Sequence, residues 1–415
     1  MELAFFRYIG NILQVILSIH LILPFILLLV YFVCKALKIE RRVELKGPYR
    51  KSFKFGVIVT AHRETTFIPP IVDSLLKQTY KNFEVYVVAD DCDISDLHFT
   101  DDRVHILKPT NALNTNTKSI QFAIDHFSSD CEVMVLFDPD NLVHPKFLET
   151  LNYYYNADYQ AVQGNLKSKN LQGAYAKMDS VGVIFYNFID KEVRSMLGLS
   201  VNIWGCGVSV LVSVYKQICY DNKCQMGGFD KKMQAEIGKA VPQLAYAPEA
   251  VLYDEKVSDS KNLEKQRVRW IKAYLNFLGD AFNVFKEGVS RGSFNLMYFG
   301  LNLMRPPYFL QILIAFFFIG LNYFMSAAMF NYWLVALALF FVGFFAIVFL
   351  RSPRSVAKGV LYMPLFFFHQ VKALCKLKLN KTSILKTEHC RVIYIDEMLK
   401  ADGNNLSDGQ FIKSA

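Results

Sequence analysis

The chain has 415 residues, room for one large or two ordinary domains, and at 53% hydrophobic with a mean hydropathy of +0.21 it is too apolar for an ordinary soluble protein. Its net charge of +9 sits in clusters beside apolar stretches, where anionic headgroups attract Lys and Arg, so no nucleic-acid partner is expected. The eight cysteines are scattered, and the closest pair, Cys219 and Cys224, lacks a second pair or a histidine cluster to complete a zinc site, which leaves free thiols in a reducing cytosol as the expectation.

After a short segment, 1–8, residues 9–34 are almost uncharged and exceed the roughly 20 residues that cross a bilayer as a helix. Arg7 precedes this run, and Lys35, Lys38, Arg41 and Arg42 follow it. Tyr31 and Phe32 stand where a signal peptide would need small residues, so an uncleaved anchor is expected. Next comes an alternation of strands and helices. Phe55–Thr60, Phe83–Ala89, Val104–Leu107 and Cys131–Phe137 read as short buried strands. Ile71–Gln78, Thr117–Phe127 and Leu263–Phe277 have helical spacing. Such alternation predicts a mostly parallel sheet with crossover helices.

Two further spans are expected at 308–325 and 331–350, joined by an uncharged link. Arg351, Arg354 and Lys358 follow the last one. By the positive-inside rule, the central region and the C-terminus then lie in the cytosol, with the spans in the cell inner (plasma) membrane. Val360–Phe368, Phe-rich and interrupted by Pro364, is too short to span and leads into the basic Lys372–Lys381, so residues 356–376 read as an interfacial helix. The polar tail at 402–415 is expected to be disordered.

Polar clusters fall at the carboxyl ends of three predicted strands: Thr60–Glu64, Asp90-Asp91 and Asp138–Asn141. Open α/β sheets bind ligands at that edge. Asp138-Pro-Asp140 places two carboxylates on one turn, where they can share a hard divalent cation such as Mg²⁺ or Mn²⁺ with substrate phosphates. Alone, such a triplet is usually a solvated turn; its position after a buried strand is what gives it weight.

Seven motifs follow one another in order: Val59-Thr-Ala-His-Arg-Glu64, Asp90-Asp91, Lys118, Asp138-Pro-Asp140, Trp204-Gly-Cys-Gly207, Gly227-Gly-Phe-Asp230 and Gln266-Arg-Val-Arg-Trp270. Together they resemble the motifs of family 2 glycosyltransferases, the inverting superfamily that contains cellulose, chitin and hyaluronan synthases. The resemblance implies an α/β domain of the GT-A type (Rossmann-like) over residues 50–290, flanked by transmembrane helices.

Residue by residue, it implies that Thr60, Ala61, His62 and Glu64 cradle a nucleoside and that Asp91 or Asp90 reads the uracil. Lys118 matches a lysine that approaches the donor, against which stands a solvated lysine on an amphipathic helix. Asp138 and Asp140 match the diphosphate and metal site. Gln266, Arg269 and Trp270 match the element that contacts the diphosphate at the acceptor end, whereas Arg267 equally suits a basic helix resting on the membrane. Cys206 lies in a Gly-rich acceptor loop and is no nucleophile, because inversion needs no covalent intermediate.

The catalytic base departs from the pattern. The family places a Glu-Asp doublet after a Gly-Gly turn, but here Phe229 precedes Asp230. Asp230 is the candidate base, Glu236 the fallback and Asp254-Glu255 a more distant one; a helix cap is the plain alternative for Asp230. The implied partners are a UDP-sugar donor, a glycan or lipid-linked acceptor, the bilayer, and a second copy or an envelope-export protein. A polymerising envelope synthase leads, followed by a glycolipid-forming transferase that moves a single sugar. A non-catalytic relative that keeps the nucleotide pocket is a third reading.

Overall fold

Unbroken runs of β-branched and aromatic residues make the centre of a sheet that is covered on both faces. The computed structural model describes residues 2–41, 43–218, 220, 228–378 and 391–406. Among them one sheet holds β1 (Phe55–His62), β2 (Phe83–Asp90), β3 (Val104–Leu107), β4 (Val133–Phe137), β5 (Leu142–Val143), β6 (Ala161–Ser168), β7 (Val208–Leu211) and β8 (Ala245–Asp254), in the order β3-β2-β1-β4-β7-β6-β8-β5. Strands β7 and β5 run against their neighbours, and the other pairings are parallel. His62 lies opposite Asp90, and Val59 opposite Phe137. The carboxyl ends of β1, β2 and β4 therefore open at one edge.

The helices start where local chemistry allows. Pro69 and Pro70 occupy the first turn of Ile68–Leu76, where their missing N–H groups cost nothing. Thr115 caps Asn116–Asp125 by accepting from the Lys118 amide. Pro364 likewise begins the helix Met363–Cys375 rather than interrupting it.

The chain forms two units. One comprises residues 43–172, 199–257 and 384–415, and the other 1–42, 173–198 and 258–383. The stretch 50–290 is thus shared between them, because 173–198 and 258–290 group with the apolar helices.

In the first unit the chain returns after its last long helix. Ile395 and Met398 pack with Leu142 and Tyr253, and Asp396 pairs with Lys77 at 2.6 Å. The helix Ile395–Leu406 includes the first residues of the tail expected to be disordered. Apolar contacts at its start hold what its polar composition concealed. Residues 407–415, Cys219, Cys224 and Gly227 lie outside the described residues.

In the second unit, three helices are long and apolar enough to cross a membrane: Tyr8–Ala36, Tyr308–Met325 and Ala327–Arg351. The expected link at 325–331 shrinks to Ser326, whose hydroxyl accepts from the Met329 amide and so starts the third helix early. Gln14 joins all three, because its Oε1 accepts from Asn322 Nδ2 at 2.7 Å and from Trp333 Nε1 at 2.9 Å. The π-helix Phe188–Glu192 contributes a buried carboxylate, Asp190, to which Arg305 donates twice (2.8 and 2.7 Å) and Arg194 once (3.0 Å).

Candidate functional site

At the sheet edge, neighbouring carboxylates have opposite surroundings. Asp90 is 2% exposed. Its carboxylate meets His62 Nδ1 at 2.9 Å and accepts the Leu113 and Asn114 amides at 2.6 and 2.8 Å. It thereby ties β1, β2 and the loop leading to Lys118 together. Asp91 is exposed and pairs with Arg63 Nε at 2.7 Å. Arg63, Asp91 and Asn114 all take positive φ (62°, 55° and 56°), a strained backbone that tends to collect at ligand sites. Ala61 is buried within β1, Thr60, His62 and Glu64 are half-buried, and Lys118 is exposed in the first turn of its helix.

The turn after β4 is held from below. Asn141 accepts the Asp138 amide (3.0 Å) and donates to Asp254 (3.0 Å). Asp140 is buried. Its Oδ2 accepts the Glu255 amide (3.3 Å), and its carbonyl accepts from Lys169 Nζ (3.1 Å). Burial pulls the Lys169 ammonium down, and Asp140, Glu255 and Asp254 oppose that pull. Lys256 donates to Asp254 (2.6 Å), and Asn170 brackets Lys256 through both of its main-chain groups (2.6 and 2.9 Å).

Asn141 falls in the polar cluster read from the sequence, but Lys169, Asn170 and Lys256 do not stand out there. Their only signal is polarity next to strand ends, and the partners are remote. Among the described residues no three His, Cys, Asp or Glu side chains converge to cage a cation. Two carboxylates on one turn fit a cation whose remaining ligands are substrate phosphates.

The loop Trp204–Gly207 adjoins both halves of the chemistry. Gln163, 1% exposed, accepts the Trp204 amide (2.8 Å) and donates to the Cys206 and Gly207 carbonyls (3.0 and 3.2 Å). Gly207 has φ +64°, and a Cβ there would meet Leu252 Cδ2 at 2.5 Å, so only glycine fits. Burial first, then Asp254, Asp138 and Asp140, push the Cys206 thiol well above its ordinary range. That keeps it neutral, and the Gly207 amide ties the loop to the Leu136 carbonyl (2.7 Å), two residues before Asp138.

On the other side, a Cβ at Gly205 would stand 3.7 Å from Asp230 Cβ and 3.9 Å from the Phe229 ring. Gly228, with φ 81°, caps the helix Phe229–Ala240, so Asp230 sits in the first turn and is not the cap. Its carboxylate is one-quarter exposed, with Lys231 Nζ at 3.8 Å. Phe229 points inward at 9% exposure.

The alternative bases are committed elsewhere. Burial raises the Glu236 carboxyl, but Lys239 (2.8 Å) and Lys232 (3.1 Å) outweigh it and hold the group down. Asp254 is bound to Lys256 and Asn141, and Glu255 is buried and accepts the Arg391 amide at 3.3 Å.

Gln266, Arg269 and Trp270 belong to the other unit, on the helix Ser260–Asn276. Arg267 does not rest on a membrane. It is buried, bonds Asp179 at 2.5 Å, and lies over the Trp270 ring at 4.1 Å.

Comparison with known proteins bears on the family and the fold. A family model described as "Glycosyltransferase like family 2" matches residues 53–273. A mannosyltransferase from Pyrobaculum calidifontis, PcManGT, solved with GDP-Man and Mn²⁺, aligns over 90% of this chain and 99% of its own at 15% identity, with a TM-score of 0.54. That likeness shows the fold, the GT-A type. S. aureus TarS 1–349, solved with UDP, aligns over 79% of this chain and 89% of its own at 16% identity, with a TM-score of 0.41. No curated protein sequence matches the chain.

Proposed function

This chain belongs to the Glycosyltransferase like family 2, and from that premise we propose that it is a membrane-bound, inverting enzyme that moves a sugar from a UDP-sugar to a cell-envelope glycan or lipid-linked acceptor. The observation that carries the reading is the Trp204–Gly207 loop, whose Gly207 amide donates to the Leu136 carbonyl at 2.7 Å, two residues before Asp138, and whose Gly205 lies beside Asp230. One short segment thus adjoins a leaving-group end and a proton-accepting end.

In this reading Thr60, Ala61, His62 and Glu64 line the nucleoside pocket. Asp91 reads the base, because the Asp90 carboxylate already serves His62 and two amides. Lys118 approaches the diphosphate from the start of its helix, and Gln266, Arg269 and Trp270 act at the acceptor end. Asp138 and Asp140 would hold Mg²⁺ or Mn²⁺, whose Lewis acidity offsets charge on the departing diphosphate. The acceptor oxygen attacks the anomeric carbon from the face opposite the diphosphate. The bond from carbon to phosphate oxygen breaks, the hydroxyl proton passes to Asp230, and the nucleoside diphosphate leaves. Phe229 does not argue for a dead enzyme: it fills the helix start from inside and leaves Asp230 as the more exposed of the two.

Three apolar helices support anchoring, and the basic flanks support a cytosolic catalytic domain. Along 356–376, Leu361 and Phe368 are exposed beside lysines, as a helix lying in the interface would have them.

The test is nucleotide release by the full chain in detergent, with UDP-Glc, UDP-GlcNAc, UDP-GlcA and GDP-Man as donors. Turnover with a UDP-sugar, abolished by chelation and by Asp138→Ala or Asp140→Ala, is expected. Full turnover in either variant would overturn the site, and turnover with GDP-Man alone would overturn the donor. Product sizing then separates a polymer from a single-sugar glycolipid.

A further inference from the structure

The helix Ser260–Asn276 carries polar residues on more than one side, with Arg267 flanking Trp270 at three-residue spacing. Gln266, Arg269 and Trp270 share a face at three- and four-residue spacing, and Trp270 is 48% exposed. Glu264 and Arg267 share another face and are buried. At 3.6 residues per turn, Glu264 lies about 200° from Gln266, and Arg267 the same from Arg269. Burying ions on one side of this helix therefore decides what the other side presents.

Both buried ions are held by several neighbours, although Arg267 Nε finds no hydrogen-bond acceptor. Glu264 accepts from His369 Nδ1 (2.9 Å), from Lys372 Nζ (2.9 Å) and from Lys376. With Nδ1 donating, His369 Nε2 accepts the Tyr175 hydroxyl at 3.0 Å in the neutral ring. Arg267 bonds Asp179 on the helix Gly173–Asn187 and lies between the rings of Trp270 (4.1 Å) and Phe366 (5.0 Å). Burial pushes the Glu264 carboxyl up, yet Lys376, Lys372 and His369 hold it down at about 2, so it is a charged hub. A mobile helix would need neither this hub nor the stacked guanidinium.

We propose that Glu264 and Arg267 are positioning residues for sugar transfer. They fix the rotation of the helix about its axis, and Arg267 acts through the Trp270 ring rather than by touching the diphosphate. The proposal rests on the reading above, in which Arg269 and Trp270 serve the reaction. It adds Glu264, Asp179, His369 and Tyr175 to the machinery, although none of them touches substrate. A bidentate phosphate ligand has to present its guanidinium edge; that of Arg267 is turned to Asp179, and its face is covered by rings.

The experiment uses the full chain in detergent and follows two signals. One is transfer, split into kcat and donor KM. The other is the Trp270 emission, obtained by subtracting the spectrum of each variant made in a Trp270→Phe background. Glu264→Gln and Asp179→Asn should each shift that emission to the red and lower kcat about 10- to 100-fold, the usual result of misplacing a substrate-positioning group, with donor KM changed less than about 3-fold. Glu264→Asp should recover part of both signals.

An unshifted Trp270 emission in Glu264→Gln and Asp179→Asn would overturn the proposal. So would an Arg267→Lys variant that raises donor KM as much as Arg269→Lys does, because Arg267 would then be a direct ligand. Unchanged transfer in Arg269→Lys and Trp270→Phe would instead sink the reading of the motif itself, an outcome the emission signal does not share.

Discussion

Asp90 and Asp91 at the end of β2, and Arg267 and Arg269 on the helix Ser260–Asn276, belong to different units, yet each pair divides its work the same way. One member is buried and held by neighbours: Asp90 by His62 and two amides, Arg267 by Asp179 and two rings. The other keeps more exposure, Asp91 in a left-handed corner with Arg63 and Arg269 half-buried on the opposite helix side. The difference between the pairs is also informative. At the sheet edge the buried ion organises backbone, whereas on the helix it organises a side chain, Trp270. Like charge at neighbouring positions therefore does not mean like surroundings, and burial against several partners marks the scaffold member.

Phe229 and Asp230 extend the contrast to a pair of unlike residues, and they give it the hardest test. If the exposed member is the one that does chemistry, Asp230→Asn removes the base while keeping the shape. We expect kcat to fall by about 10²- to 10⁴-fold, the usual contribution of general base catalysis, with donor binding measured by calorimetry within a factor of two or so of wild type. Phe229→Leu, a change of packing alone, should cost far less. If the two variants were equally impaired, the assignment of the base would collapse.

The carboxylate pair gives the next largest effect. In Asp90→Ala the partly buried Leu113 and Asn114 amides lose a charged acceptor, a class of hydrogen bond that contributes about 1.5–3 kcal/mol. The thermal midpoint should drop by several degrees. Asp91→Ala removes an exposed ion pair with Arg63, a class of interaction that contributes about 0–1 kcal/mol. Its midpoint should stay put while donor KM rises. Midpoints that fell equally would erase the distinction between the two positions.

These contrasts also show how much was legible in the sequence. The strands at the centre of the sheet were plain, because β1, β2 and β4 are apolar runs followed by polar loops. Strand β6 hides. Its Gln163 and Asn165 look like loop residues, and its pairing with β8 shifts register between Gly164 and Asn165. Strand β8 contains Pro248 and Glu249 within the bulged stretch. The donor-edge motifs were readable as a resemblance, but the buried supports were not. Lys169, Asn170 and Gln163 act on loops far away in the chain, and no local period records that. The same holds for Glu264, which in sequence is one acidic residue on a basic amphipathic helix. Only the fold brings His369, Lys372 and Lys376 around it.

The last effect, read from its dependence on pH, belongs to that hub. In the folded chain the Glu264 carboxyl is held at about 2, against an ordinary value of 4.5. A carboxyl whose folded value is depressed contributes stability that is fully present above its unfolded value and is lost as pH falls through the folded one. The margin of wild type over Glu264→Gln should therefore be constant at neutral pH and shrink from about pH 4.5 down towards pH 2. Taking the difference between the two proteins cancels the other carboxylates that titrate in the same window. A margin that did not move with pH would mean that Glu264 is held by packing rather than by the charges of Lys372 and Lys376 and the hydrogen bond from His369, and the buried ion of this helix would no longer be the counterpart of Asp90.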